Sequence, residues 1–209
     1  MSTNTSCLDE VRTWLAGYVT QPHDDIGRPG AICPFVEPSM RVDALTLREW
    51  PVTTECTVTE LLSVIDRMAE AFLTSAHNGG NAALHAVVVA LPGLVPERHR
   101  LLDEAHATAK TGLVRRGLML GQFHPTCDER AARNERFPVS RSPLPLLAIR
   151  HMAFHDVLFL SDDREWFDCY RDRFGHRFEN AHVHDPLFVR LYAQANDRWP
   201  LADRAVAPS

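Results

Sequence analysis

The sequence predicts an α+β fold: one domain over residues 1–199, with a central sheet of about four strands flanked by helices, and a flexible tail at 200–209. Three observations predict it. Leu84–Leu91, Leu118–Phe123 and Leu146–Arg150 are short, nearly continuous apolar runs of the kind that form buried strands. Segments with apolar residues at helical spacing surround them. Proline- and glycine-rich stretches punctuate the two kinds.

The first helix runs from Leu8 to Tyr18, with Leu8, Val11, Leu15 and Tyr18 on one face. Gln21–Phe35 is dense in proline and glycine, which forbids a helix and fixes a shaped loop. Val42, Ala44, Leu45 and Leu47 suggest a strand. Thr57–His77 reads as the second helix: Thr57 and Glu60 fit a capping box, Leu61, Ile65, Met68 and Phe72 form one face, and Asn78-Gly79-Gly80 ends it. After the strand at Leu84–Leu91, stopped by Pro92-Gly93, Pro96–Val114 forms a third helix with Leu101, Leu102, Ala105, Ala109 and Leu113 inward. Leu118–Phe123 and Leu146–Arg150 complete the sheet. Between them Asn134–Pro145 is long, irregular and proline-rich, which suits a lid or pocket wall. Asp163–Phe174 is helical with Gly175 as its C-cap, and Asp185-Pro186 starts a last helix that runs to about Arg198.

Composition removes several function classes. With 209 residues, 45% hydrophobic and 23% charged, the chain is an ordinary globular one, so global disorder is excluded. A net charge of -5 gives no reason to expect nucleic acid. No apolar run approaches the roughly 20 residues of a membrane span. Met1–Glu10 lacks the basic-then-apolar layout of a secretory signal, and five scattered cysteines do not make a secreted disulfide framework, so the expected location is cytoplasmic. Lysine chemistry could rest only on Lys110. There is no Walker loop, no Gly-x-Gly-x-x-Gly after a strand, no Gly-x-Ser-x-Gly elbow and no His-Glu-x-x-His.

Three loops carry residues suited to chemistry. In Gly27–Phe35, Cys33 precedes Pro34, so a soft sulfur sits on a constrained backbone, as thiolate ligands of haem iron do. The ordinary alternative is a small buried hydrophobe. In Gly121–Glu129, His124 follows a buried strand with Cys127 three residues on. Imidazole and thiolate at that spacing could face one metal, or His124 alone could ligate haem; the plain alternative is a hydrogen-bonded loop histidine. In Arg150–Asp156, His151 and His155 flank a short stretch with a fixed cation and a carboxylate. Arg150 could hold a carboxylate or a haem propionate, and a salt-bridged loop is the alternative. His182 and His184 read as polar residues before a helix cap. If the strands ending at Phe123 and Arg150 run parallel, their loops leave the same sheet edge and the three loops form one site.

Gly27–Phe35, Gly117–Pro125 and Ser142–Met152 together resemble an uncharacterised family found mostly in actinobacteria, often within natural-product gene clusters. The resemblance covers about residues 10–195 and implies no particular activity. In size and in its Cys-Pro-Phe loop the chain is also similar, by analogy, to small haem-dependent enzymes that oxygenate amino-acid nitrogen.

The leading expectation is a haem-dependent oxygenase acting on an amino-acid-like or amine substrate in specialised metabolism. His124 is its axial ligand, with Cys33 as the alternative, Phe123 gives apolar cover, and Arg150 or Arg28 holds a propionate or substrate carboxylate. His155, with Arg150 and His151, supplies the catalytic groups. A second reading is a zinc-type site of Cys33, His124, Cys127 and one of His151 or His155. A third is a cofactor-free binding or partner protein. The expected partners are a small molecule, with a redox partner and a homodimer left open, and neither nucleic acid nor membrane.

Overall fold

The computed structural model describes residues 6–75, 81–179 and 183–200. The Asn78-Gly79-Gly80 stop, His182 and residues 201–209 lie outside them. Contacts group the chain into two compact units, one up to His151 and one from Met152 onward.

The first unit is built on α1 (Cys7–Trp14), continued by a π-helical turn at Leu15–Val19, then α2 (Val36–Arg41), β1 (Leu45–Glu49), α3 (Val58–Thr74), β2 (Ala86–Ala90), α4 (Arg100–Arg115), β3 (Leu118–Phe123), β4 (Arg130–Ala131), β5 (Asn134–Pro138) and β6 (Leu146–His151). The expected α+β class and four-stranded sheet are present, in the order β1-β2-β6-β3. β1 and β2 pair in parallel, and β6 runs antiparallel to both β2 and β3. β1, β2 and β3 therefore point the same way, with β6 reversed between the last two.

That reversal corrects the expectation of a shared loop edge. Phe123 pairs with Leu146 and Leu118 with His151. The loop after β3 and the loop after β6 thus leave opposite ends of the sheet, roughly 17 Å apart along the strand.

Two apolar layers sandwich the sheet. On one face Leu61, Ile65, Met68 and Phe72 of α3 and Leu102, Ala105 and Leu113 of α4 pack on Val89, Leu118, Leu120, Leu147 and Ile149. On the other, Val11, Leu15 and Val19 cover Val88, Ala90 and Leu146, with Leu45, Leu47, Cys33 and Phe123 packed around them. Neighbouring residues of β2 and of β6 go to opposite layers, as strand alternation requires.

Helix α3 begins as its sequence predicts. The Glu60 N–H donates to Thr57 Oγ1 at 3.3 Å, and the Thr57 N–H donates to the Glu60 carboxylate at 2.7 Å. Thr57→Ala is expected to cost about 1 kcal/mol, read as a shift in the urea midpoint at constant slope. An unchanged midpoint would show that packing alone holds the helix start.

Asn134–Pro145 is less irregular than expected, because β5 pairs with β4 across a bulge. Asn134 Nδ2 then donates to the Asp25 carbonyl at 2.8 Å and so anchors the 21–35 loop.

The second unit is helical: α5 (Val157–Leu160), α6 (Arg164–Phe174), α7 (His176–Glu179) and α8 (Pro186–Arg198). Tyr170 is buried and donates to the Phe154 carbonyl at 2.6 Å, and Phe178 stacks on Tyr192 at 3.9 Å between centroids. Gly175 ends α6 for want of space, not for a left-handed turn. Its φ is -55°, and a Cβ would meet the Arg171 carbonyl at 2.6 Å and the Tyr192 hydroxyl at 2.8 Å.

Candidate functional site

The loops after β2 and β3 leave the sheet at the end where α4 begins, and polar side chains gather there. Along β3, Leu120 faces the α3–α4 layer, Phe123 faces the α1 side, and Gln122 reaches across to Asp103 in the first turn of α4 at 3.5 Å. His124 continues the α4-facing row. Its Nε2 lies 3.2 Å from both carboxylate oxygens of Asp103, and its Nδ1 lies 3.2 Å from Thr126 Oγ1. The chain then turns back, with the Cys127 N–H donating to the His124 carbonyl at 3.1 Å. This turn carries the Cys127 sulfur inward, and donor atoms of Asp103, His124 and Cys127 all lie within 4.8 Å of one another.

His124 is 1% exposed and Cys127 fully buried, whereas the Asp103 side chain is 42% exposed. The group is closed on the protein side and open toward solvent along Asp103. Burial is the main cause that pushes the Cys127 thiol up to about 11; the Glu129 backbone opposes it and the Asp103 carboxylate adds to it. Without a cation beside it, Cys127 is a neutral thiol at pH 7.

Two neutral tautomers are open to His124. In one, Nε2–H donates to Asp103 and Nδ1 accepts from the Thr126 hydroxyl. In the other, Nδ1–H donates to Thr126 and the bare Nε2 faces a carboxylate. The second places two lone-pair donors against each other, which is repulsive unless a cation sits between them. Nitrogen and oxygen ligands on one tetrahedral zinc lie roughly 3.3 Å apart, so the 3.2 Å separation already suits an ion. Thr126 would then fix the tautomer from behind.

Two further histidines of this region are held neutral. His106, one turn beyond Asp103, has Nε2 3.1 Å from the Leu120 carbonyl, which can only accept. Burial is the main cause that lowers its pKa. His99 is buried with its ring centroid 5.4 Å from that of His124. Burial first, and then the His124 imidazole, lower its pKa, and its Nδ1 has no hydrogen-bond partner among the described residues. An unpaired buried nitrogen is uncommon and marks a place where a ligand could bond.

Of the described residues singled out from sequence, His124 and Cys127 are the two that the structure brings into one group of candidate ligands. Cys33 packs with the apolar layer on the α1 side, its N–H bonded to the Val19 carbonyl at 3.0 Å. Phe123 meets the edge of Trp14 at 5.5 Å on that same side, so it does not cover the His124 ring. Arg28 donates to the carbonyls of its own loop, at Pro29 (3.0 Å) and Ile32 (2.9 Å). Arg150 donates to the His151 carbonyl at 2.9 Å and lies over the Phe35 ring, and His151 packs on Phe72 at 4.9 Å, both at the far end of the sheet from His124. His155 belongs to the second unit, between Phe154 and Phe188. Asp103, His99 and Thr126 were not legible as site residues. The usable signal was Asp103 four residues after His99, in the first turn of the helix after a buried strand.

No helix among the described residues is long and apolar enough to cross a membrane. No curated protein and no solved structure matches the chain significantly. A family profile does match, over residues 8–185, and spans the strands, the His124 turn and α4. The chain therefore belongs to the family described as a domain of unknown function, DUF6875.

Proposed function

We propose that the protein is a zinc-type metal enzyme acting on a small molecule, with the ion held by Asp103, His124 and Cys127. The observation that carries this reading is the approach of His124 Nε2 to both Asp103 oxygens at 3.2 Å, with a buried cysteine sulfur close by. One nitrogen, one oxygen and one sulfur donor suit a borderline-soft transition ion better than magnesium or calcium, which take oxygen. Three protein ligands with an open fourth position is the pattern of catalytic zinc, whereas structural zinc is closed by four. The exposed side of Asp103 leaves that position facing solvent. When bound, such an ion supplies Lewis acidity toward a substrate oxygen or a bound water. Cytoplasmic location and a role in specialised metabolism belong to the same proposal.

The Asp103 carboxylate beside His124 Nε2 would add a second ligand to a small cation but none to a haem, so this geometry supports the metal-ion reading more than the haem one.

The test is metal analysis of purified full-length protein, loaded with zinc and then desalted. The expected result is about one ion per chain, with Asp103→Asn and Cys127→Ser each weakening retention at least roughly tenfold. Protein that holds no zinc, iron, cobalt or manganese above background overturns the proposal. A Soret band on haem addition to zinc-free protein would return the haem reading.

A further inference from the structure

We propose that an open groove on the α1 side of the first unit binds a planar aromatic carboxylate. The groove encloses about 960 Å³ between α1 with its π turn and the chain from Phe137 to Pro143. That volume lies in the range of small-molecule sites, roughly 300–1,000 Å³. It is a different place from the Asp103 group, and the inference stands whether or not the metal reading does.

Its walls are flat rings held in place by other rings. Trp14 and Tyr18 stack on each other, with centroids 6.1 Å apart and planes 24° apart. Trp14 is braced by the edge of Phe123. Tyr18 meets the His23 ring edge-on at 6.3 Å, and His23 stacks on Phe137 at 4.4 Å and 25°. The Tyr18 hydroxyl donates to the Val139 carbonyl at 3.3 Å, which ties the helix side of the groove to the opposite wall. Tyr18 itself sits in the π turn at Leu15–Val19. Such turns are rare and are frequent at functional sites. Preorganised aromatic faces favour a planar apolar ligand, since little side-chain freedom is lost on binding.

The charge comes from Arg141, the one cation among the lining residues. Its Nε donates to the Cys127 carbonyl at 3.3 Å and its Nη2 to Asp128 at 3.4 Å. These bonds hold the guanidinium from one side, while Nη1 takes no partner among the described residues. The cation is also close enough to Tyr18 to work against the burial that raises the phenol pKa. The Thr13, Ser142 and Glu10 side chains do not compete for an anion, the Thr13 hydroxyl being bonded to the Asp9 carbonyl. The Ser142 hydroxyl is spent on the Leu144 carbonyl at 2.7 Å, and Glu10 lines the groove as a carboxylate. A single carboxylate on an aromatic ring satisfies Arg141, whereas a dianion would meet Glu10 as well.

The probe is 2-naphthoate, titrated into the full chain by calorimetry, with 2-naphthamide and cyclohexanecarboxylate as comparisons. Naphthoate is expected to bind saturably and more tightly than either. Arg141→Gln, at an exposed position, should weaken naphthoate about tenfold and bring it level with the amide. Phe137→Ala, checked by circular dichroism for retained fold, should weaken naphthoate more than cyclohexanecarboxylate. Equal binding of acid and amide, an unaffected Arg141→Gln variant, or no saturable binding overturns the inference. So does sedimentation showing a dimer that Arg141→Gln or Phe137→Ala dissociates while naphthoate stays unbound, because a second copy then occupies the groove.

Discussion

Gly93→Ala is expected to destabilise the protein by about 3 kcal/mol or more, against typical losses near 1 kcal/mol for a point substitution. Gly93 has φ +98°, on the side of backbone space that side chains avoid. A Cβ there would stand 2.1 Å from the Val52 carbonyl oxygen. That oxygen has no easy retreat. The Val52 N–H donates to the Pro92 carbonyl at 3.0 Å and the Trp50 N–H to the Ala90 carbonyl at 2.8 Å, so the two chains stay laced together beyond the ends of β1 and β2. Moving Val52 away breaks those bonds; keeping it leaves a hard overlap on top of the backbone strain. The same turn leads into His99 and α4, so the Asp103 group should loosen with it. Urea unfolding measures the loss, with Gly17→Ala as the control. At Gly17 an added Cβ meets nothing within 4 Å, and the expected change is near zero or slightly stabilising. A loss at Gly93 no larger than at Gly17 would mean that the turn swings freely.

The contrast between these two glycines also shows what a sequence can carry. Pro92-Gly93 reads correctly as a stop, because local turn chemistry sets it. The carbonyl of Val52 that makes the glycine indispensable is 41 residues away, and no local pattern announces it. The sheet divides in the same way. Leu118–Phe123 was legible to the residue, since a buried strand is written as an apolar run with turn formers around it. The direction of β6 was not, because a buried strand has the same apolar composition whether its neighbours run with it or against it. That one ambiguity joined Arg150 and His151 to His124, which the antiparallel register separates. The β4–β5 hairpin was missed for another reason: Arg130–Pro138 is largely polar and shows no alternation, so only its pairing marks it as strand. At the site, His124 and Cys127 stood out as metal-binding types after a buried strand. Asp103 did not, because an acidic residue in a helix's first turn is also what the helix dipole favours. Only the packing of α4 on β3 turns that ordinary residue into a partner for His124.

His124→Ala therefore carries the largest expected functional effect, at least roughly a hundredfold loss of zinc affinity. His124 is the central member of the group, in contact with Asp103 through Nε2 and joined to Cys127 by the turn between them. Removing the imidazole takes away one donor and the contact that aims a second. The vacated space is enclosed, since His124 is almost wholly buried, so the variant should also lose about 1–3 kcal/mol of stability in the metal-free state. Affinity must accordingly be measured on protein shown by circular dichroism to be folded. The decisive comparison is with Cys33→Ala and His151→Ala. Cys33 lies in the apolar layer on the α1 side, and His151 pairs with Leu118 at the far end of β3. Neither should change zinc retention. If Cys33→Ala strips the ion as thoroughly as His124→Ala does, the donors are not Asp103, His124 and Cys127. The thiolate next to Pro34 would then hold the metal, and the Asp103–His124 contact would be a hydrogen bond that serves the fold alone.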